Sequence, residues 1–140
     1  MEILGYKMPA DLYYEKNHYW VRVEGDILVI GMDDFAQQMA GEIVYVQIPF
    51  AGKKLKTGKK FAQLESGKWL GKVYAPVNGE LIEGNEALET EPTRINQDCY
   101  GEGWMYKIKP ADLDELSNLI HDPVDIKKWL LEDIKKYKHD

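Results

Sequence analysis

The sequence predicts a mainly β fold with short helices, built as a flattened barrel from two similar halves. The first observation behind this is a pattern that occurs twice. One copy runs Ile48-Pro49-Phe50-Ala51-Gly52, Leu55, Thr57-Gly58, Phe61; the other runs Ala75-Pro76-Val77-Asn78-Gly79, Leu81-Ile82, Glu83-Gly84, Leu88. Each reads as strand, Pro-x-x-Gly turn, short strand, glycine turn, strand. Proline presets φ for a turn and glycine supplies φ > 0. A repeat this short cannot bury its apolar face alone, so the halves must pack on each other. The second observation is the five-residue stretch between the copies, Glu65-Ser66-Gly67-Lys68-Trp69, which sets Lys68 at a hairpin tip. Gly67 fits a tight turn that lifts the next side chain off the body. The third is length: 140 residues suit one domain with a core that needs no staples.

The elements follow in order. Residues 1–16 are mixed, with Pro9 and Asp11 as turn signals, and read as a segment laid over the body. His18-Tyr19-Trp20-Val21-Arg22-Val23 alternates as a strand, Glu24-Gly25-Asp26 turns the chain, and Ile27-Leu28-Val29-Ile30-Gly31 reads as a buried strand. Asp33 is an N-cap and Gly41 a stop for a two-turn helix, with Phe35 and Met39 four apart on its buried face. Asp33 and Asp34 as a catalytic carboxylate pair is the weaker reading, since capping accounts for their position without further assumptions. Glu42 to Pro49 is the strongest strand. Beyond the two halves, Thr90-Glu91-Pro92 starts a short helix to about Gln97, and Trp104 to Lys109 is a final strand. Asp112 caps a helix through Ile120 with Leu113, Leu116 and Leu119-Ile120 on one face. Asp122 with Pro123 at the first helical position opens an amphipathic helix to about Lys138, carrying Ile126, Trp129-Leu130 and Ile134. That stripe packs back on the body or serves a partner, a second copy included. Residues 121–140 thus read as an extension of a 1–120 domain.

Composition excludes several classes. A net charge of -6 argues against a nucleic-acid binder. Lys53, Lys54, Lys56, Lys59 and Lys60 cluster; a solvated face of edge strands is preferred to a docking patch for an acidic partner. The one cysteine, Cys99, forbids an internal disulfide and points to a reducing compartment, and no motif around it suggests a nucleophile. His18, His121 and His139 lack metal-ligand spacing, so no metal site is expected. With no signal-peptide layout and no spanning apolar run, a soluble, cytoplasmic protein is expected.

No phosphate-cradling loop, Ser/His/Asp set or Cys/His cluster is present to support an enzyme. A Schiff-base lysine needs a burial that a hairpin tip does not give. A carrier needs a primary amine on a flexible stem, exposed on a rigid support, and Lys68 provides that. Read without its flanks, Lys68 would be an ordinary turn lysine.

The chain resembles the H-protein of the glycine cleavage system from about residue 13 to residue 119. The resemblance is carried by His18-Tyr19-Trp20-Val21-Arg22, Gly31-Met32-Asp33-Asp34-Phe35-Ala36-Gln37, Gly41-Glu42-Ile43-Val44-Tyr45-Val46, Glu65-Ser66-Gly67-Lys68, Tyr74-Ala75-Pro76-Val77-Asn78-Gly79-Glu80, Asn85-Glu86-Ala87-Leu88 and Tyr100-Gly101-Glu102-Gly103-Trp104. It implies a lipoyl-type barrel-sandwich hybrid with added helices. It also implies a non-catalytic carrier, with lipoate in amide linkage to Lys68 and Glu65, Ser66, Gly67 and Gly79 serving turn geometry or recognition by a lipoate ligase or lipoyl transferase. The implied partners are a pyridoxal-phosphate glycine decarboxylase, a folate-dependent aminomethyltransferase and dihydrolipoamide dehydrogenase, with the carrier itself a monomer and the loaded arm sheltered in a cleft. Gly67 and Trp69 depart from the family's usual valine before the lysine and small residue after it. The Glu-Ser-Gly-Lys-Trp variant is similar to lipoate-binding carriers of heterodisulfide-reductase-like sulfur oxidation, which is the alternative pathway. An unmodified interaction module and a biotinyl domain are the remaining options; the latter lacks its flanking methionines here.

Overall fold

The structure, a computed structural model, describes residues 1–137. The first residues pair as a small hairpin, β1 (Glu2–Ile3) with β2 (Tyr6–Lys7). Then β3 (Tyr13–Glu15), β4 (Tyr19–Glu24) and β5 (Ile27–Met32) form a meander. Helix α1 (Asp34–Ala40) follows, capped as expected: Asp33 accepts from the Ala36 N–H, and Gly41 stops it at φ 79°. The two halves supply β6 (Ile43–Val46), β7 (Lys54–Leu55), β8 (Lys60–Ser66), β9 (Leu70–Tyr74) and β10 (Gly79–Gly84). Single-turn helices α2 (Ala87–Thr90) and α3 (Arg94–Gln97), strand β11 (Tyr106–Pro110), a 3-10 turn (Leu113–Asn118) and α4 (Pro123–Tyr137) complete the described chain.

The strands make a six-stranded sheet in the order β3-β4-β5-β11-β10-β7 and a three-stranded sheet in the order β6-β8-β9. The mainly β fold with short helices is as expected, and the equivalent strands of the two halves do meet: β7 pairs with β10 through Leu55 and Gly79. The sheets are not closed into a barrel. They bury a common core instead, with Val21, Leu28 and Ile30 of one sheet against Leu64 and Val73 of the other. The opposite face of β4 and β5, presenting Trp20 and Val29, is covered by a second core. That core takes Ile3 and Met8 from the N-terminus and Ile126, Leu130 and Ile134 from α4. Burial on both faces is why residues 27–30 read as a continuous apolar run. The stripe on α4 therefore packs on the body. Its expected end, Lys138, lies outside the described residues, as does His139.

Several local expectations are corrected. The strand read over Glu42–Pro49 is only Ile43–Val46, because the register shifts between Ile43 and Tyr45 and a bulge turns both Val44 and Tyr45 outward. Met39 is exposed rather than sharing a buried face with Phe35, since α1 straddles the two cores through Phe35 and Ala40. The helix read from Thr90 to Gln97 is broken in two. Proline disfavours helical backbone in the residue before it, and Glu91 sits at φ -132°, ψ 66°. The segment after Asp112 winds as 3-10 and buries Leu116 while leaving Leu113 exposed. Glu115 pins it by accepting from the Thr57 hydroxyl and the Asn78 N–H.

The repeat's glycines also divide. Gly52 and Gly58 take the positive φ their turns need, 96° and 78°. Gly79 does not; a Cβ there would stand 2.3 Å from the Lys109 carbonyl oxygen, so close strand approach demands glycine. Among the described residues no helix is long and apolar enough to cross a membrane.

Candidate functional site

The last paired residues of the β8–β9 hairpin are Glu65 and Leu70, and the Ser66 N–H donates to the Trp69 carbonyl at 2.8 Å. Gly67 and Lys68 are the loop. Ser66 is buried under it, while Glu65, Gly67 and Lys68 are exposed. Gly67 has no positive φ, contrary to the turn geometry expected of it, and a Cβ there would meet nothing within 4 Å. The tip is tight because only two residues close it. Lys68 makes no ion pair and no side-chain hydrogen bond with any described residue. Its stem passes over Gly41, where a Cβ would stand 3.4 Å from the lysine Cε. Across the sheet from Glu65 lie Tyr45 and Leu70, so an exposed apolar-acid-apolar row flanks the tip. Gly79 is not part of this group; its neighbours belong to β7 and β11.

Lys68 and Trp69 form one wall of a cleft of about 360 Å³. Phe35, Ala36, Met39 and Ala40 of α1 form another, and Asn17, His18 and Tyr137 complete it. The volume is in the range of small-ligand sites, and the lining is mostly aromatic and aliphatic, with Asn17, His18 and Lys68 as its polar members and no carboxylate among the described residues.

His18 is the residue that sequence reasoning missed. It closes the turn between β3 and β4 at φ 74°, a left-handed conformation unusual for a residue with a Cβ. Its ring stacks on Trp129 at a centroid distance of 4.4 Å. Nδ1 lies 2.8 Å from Asp33 and Nε2 lies 2.6 Å from Asp133 of α4. A carboxyl group faces each nitrogen, an arrangement in which the protonated ring can donate to both. Burial by itself would lower the pKa of His18, but the two carboxylates outweigh burial and raise it. Burial likewise raises the pKa of Asp33, against the pull of His18. Asp33 thus caps α1 and holds the histidine that ties α4 to the cleft wall. Tyr100 links α1 to the N-terminal hairpin by accepting from the Asp34 N–H and donating to the Lys7 carbonyl. Cys99 is buried, its thiol pushed up to about 12 chiefly by that burial, which fits a core filler.

The sign of the resulting pH dependence follows from linkage. A histidine whose folded pKa is raised contributes in full below its unfolded value of about 6.5, and the contribution fades as pH rises through the folded value. Stability is therefore expected to fall from about pH 6.5 upward. Urea midpoints read across this range should show the slope, and His18→Gln should flatten it. An unchanged slope in that variant would assign the effect elsewhere.

A family description, glycine cleavage H-protein, matches residues 12–133. The glycine cleavage system H protein of Bacteroides thetaiotaomicron is 45% identical over 112 residues, covering 80% of this chain and 89% of that protein. That of Thermus thermophilus is 43% identical over 113 residues, covering 81% and 88%. A probable glycine cleavage system H protein 2 of Sulfolobus acidocaldarius is 46% identical over 118 residues, covering 81% and 79%. The crystal structure of a glycine cleavage system H protein from Mycobacterium marinum superposes with a TM-score of 0.70 at 28% identity, covering 79% of this chain and 97% of that one. With a family match over most of its length and relatives at this level of identity, the chain belongs to the glycine cleavage H-protein family.

Proposed function

We propose that this chain is the lipoyl carrier of a glycine cleavage system, with lipoate joined by an amide to Lys68. One observation carries the reading: an exposed amine, unpaired among the described residues, on a two-residue hairpin loop beside a mostly apolar cleft. The residues present fit the group. The stem leads past Gly41 to the cleft, and acylating Lys68 disturbs no ion pair among the described residues. When bound, the group supplies a dithiolane that accepts the aminomethyl unit of glycine and later gives up electrons. The chain's own part is to hold the attachment point rigid, exclude water from the cleft and present a docking face.

The chain is proposed to be non-catalytic. It would work with a pyridoxal-phosphate glycine decarboxylase, a folate-dependent aminomethyltransferase and dihydrolipoamide dehydrogenase after modification by a lipoate ligase or lipoyl transferase. Glu65 is proposed as a recognition contact, since it faces outward one turn from the lysine. Ser66 and Gly67 hold the loop, and Gly79 keeps β10 close to β11. Residues 1–120 are proposed as the carrier unit and 121–140 as an extension, whose described part packs on it through Ile126, Leu130 and Ile134.

The test is direct. The chain is lipoylated, mapped by peptide mass, and incubated with glycine and the decarboxylase. An adduct at Lys68 and a glycine-dependent gain in mass are expected; an adduct confined to another lysine would remove the carrier reading. A second reading, an arm carrying sulfur intermediates in heterodisulfide-reductase-like oxidation, is favoured by the aromatic wall at Trp69 and the absence of a carboxylate along the described cleft lining. Modification without any glycine-dependent gain would select it.

A further inference from the structure

Gly71 is buried in β9, and its backbone is not in the positive-φ region. Nothing in the chain's path therefore requires glycine. The side chain of Trp69 does. A Cβ on Gly71 would stand 2.2 Å from Cη2 and 2.4 Å from Cζ3 of the indole. Trp69 lies just before β9, and its indole folds back over the notch that Gly71 leaves. The same device operates at Gly31, where a Cβ would stand 2.7 Å from Cζ2 of Trp20. There the ring is fully buried and belongs to the core, whereas Trp69 stays 41% exposed. The Trp69 indole makes no hydrogen bond with a described residue, and it walls the cleft beside Lys68. Met39 and Tyr137 of the cleft are likewise exposed apolar or aromatic groups, beside the exposed polar Asn17 and Lys68. A large ring is thus fixed in orientation at a place where folding does not use its surface.

We propose that Trp69 is a positioning residue for the Lys68 arm: its indole, seated over Gly71, is the wall on which the tethered dithiolane comes to rest. The inference builds on the carrier reading above. Sulfur in contact with an aromatic ring is favourable, and a wall held by a glycine notch gives the arm one resting place rather than many.

The experiment uses the full-length chain with its adduct verified at Lys68 by mass. A water-soluble phosphine then opens the ring, giving two electrons to the disulfide and leaving as its oxide. The rate is followed in the native chain and in Trp69→Ala, Trp69→Phe and Gly71→Ala, each confirmed folded by its urea midpoint. Trp69→Ala should speed reduction about three- to tenfold, and Trp69→Phe should restore most of the protection. Gly71→Ala, which unseats the indole without removing it, should behave like Trp69→Ala. Lipoylation should also quench tryptophan emission in the native chain and leave it unchanged in Trp69→Phe. Fully modified chains that reduce at one rate whatever stands at 69 or 71 would overturn this inference and leave the carrier reading standing. A chain that carries no adduct at Lys68 would overturn both.

Discussion

Lys68→Arg is expected to abolish lipoylation and with it all carrier function, while changing stability by no more than about 0.5 kcal/mol. The two consequences separate because the side chain stands outside both cores and pairs with no described group. Arginine keeps the charge and the reach but stays protonated at any pH a protein survives, so it offers no free amine to acylate. Intact mass after incubation with ligase and lipoate, alongside a thermal melt, reads both halves. Retention of glycine-dependent loading in this variant would show that the load travels on some other group. A large loss of stability would show that the hairpin tip is not the free-standing feature described above.

Asp33→Ala is expected to cost about 4 kcal/mol, the largest stability loss of any single change considered. Two effects combine. An N-cap is worth about 1 kcal/mol, and Asp33 accepts from the Ala36 N–H at 2.8 Å. Removing one partner of a buried ion pair costs about 3–5 kcal/mol because the other is left without its counter-charge. Asp33 is fully buried and His18 nearly so. Asp133 would remain as the partner of His18, and being partly exposed it screens some of that penalty. Asp33→Asn keeps one acceptor oxygen where aspartate uses two, Oδ1 for the Ala36 N–H and Oδ2 for the ring; with that oxygen on the cap, its NH2 faces Nδ1 and suits a neutral imidazole, so it should cost less than alanine and should shrink the pH slope. Urea unfolding of both variants decides the matter; an alanine variant within 1 kcal/mol of the native chain would mean that α4 holds by its apolar stripe alone.

What could be read in the sequence was what neighbours in the chain determine. Asp33 as a cap depends on a backbone N–H three residues on, and the Gly52 and Gly58 turns depend on φ at single positions. The Lys68 loop lies between strands that meet through a two-residue connection. All of these are local. The features that escaped are set by distant contacts. His18 meets Asp133 across 115 positions, and no spacing rule reaches that far. Val44 and Tyr45 turn outward because of a bulge against β8, which the alternation of the strand itself does not reveal. The halves were legible as a repeat, but whether their sheets close depends on how β4, β5 and β11 extend one of them. Gly79 reads in the sequence as a φ-positive turn and is not one, since a close approach to Lys109 leaves the same one-letter trace as a left-handed bend.

The outer core joins the beginning of the chain to its end, Ile3 and Met8 to Ile126, Leu130 and Ile134. On a ribosome this has a cost in time. Trp20 and Val29 emerge early, yet the helix that roofs them is the last described element to leave the exit tunnel. Throughout synthesis that face is covered only in part, by Ile3, Met8 and Phe35; the rest is the kind of apolar surface that chaperones bind and that drives aggregation when they do not. A stop codon before residue 123 would therefore leave the inner core with its partners and strand the outer one permanently in that nascent state.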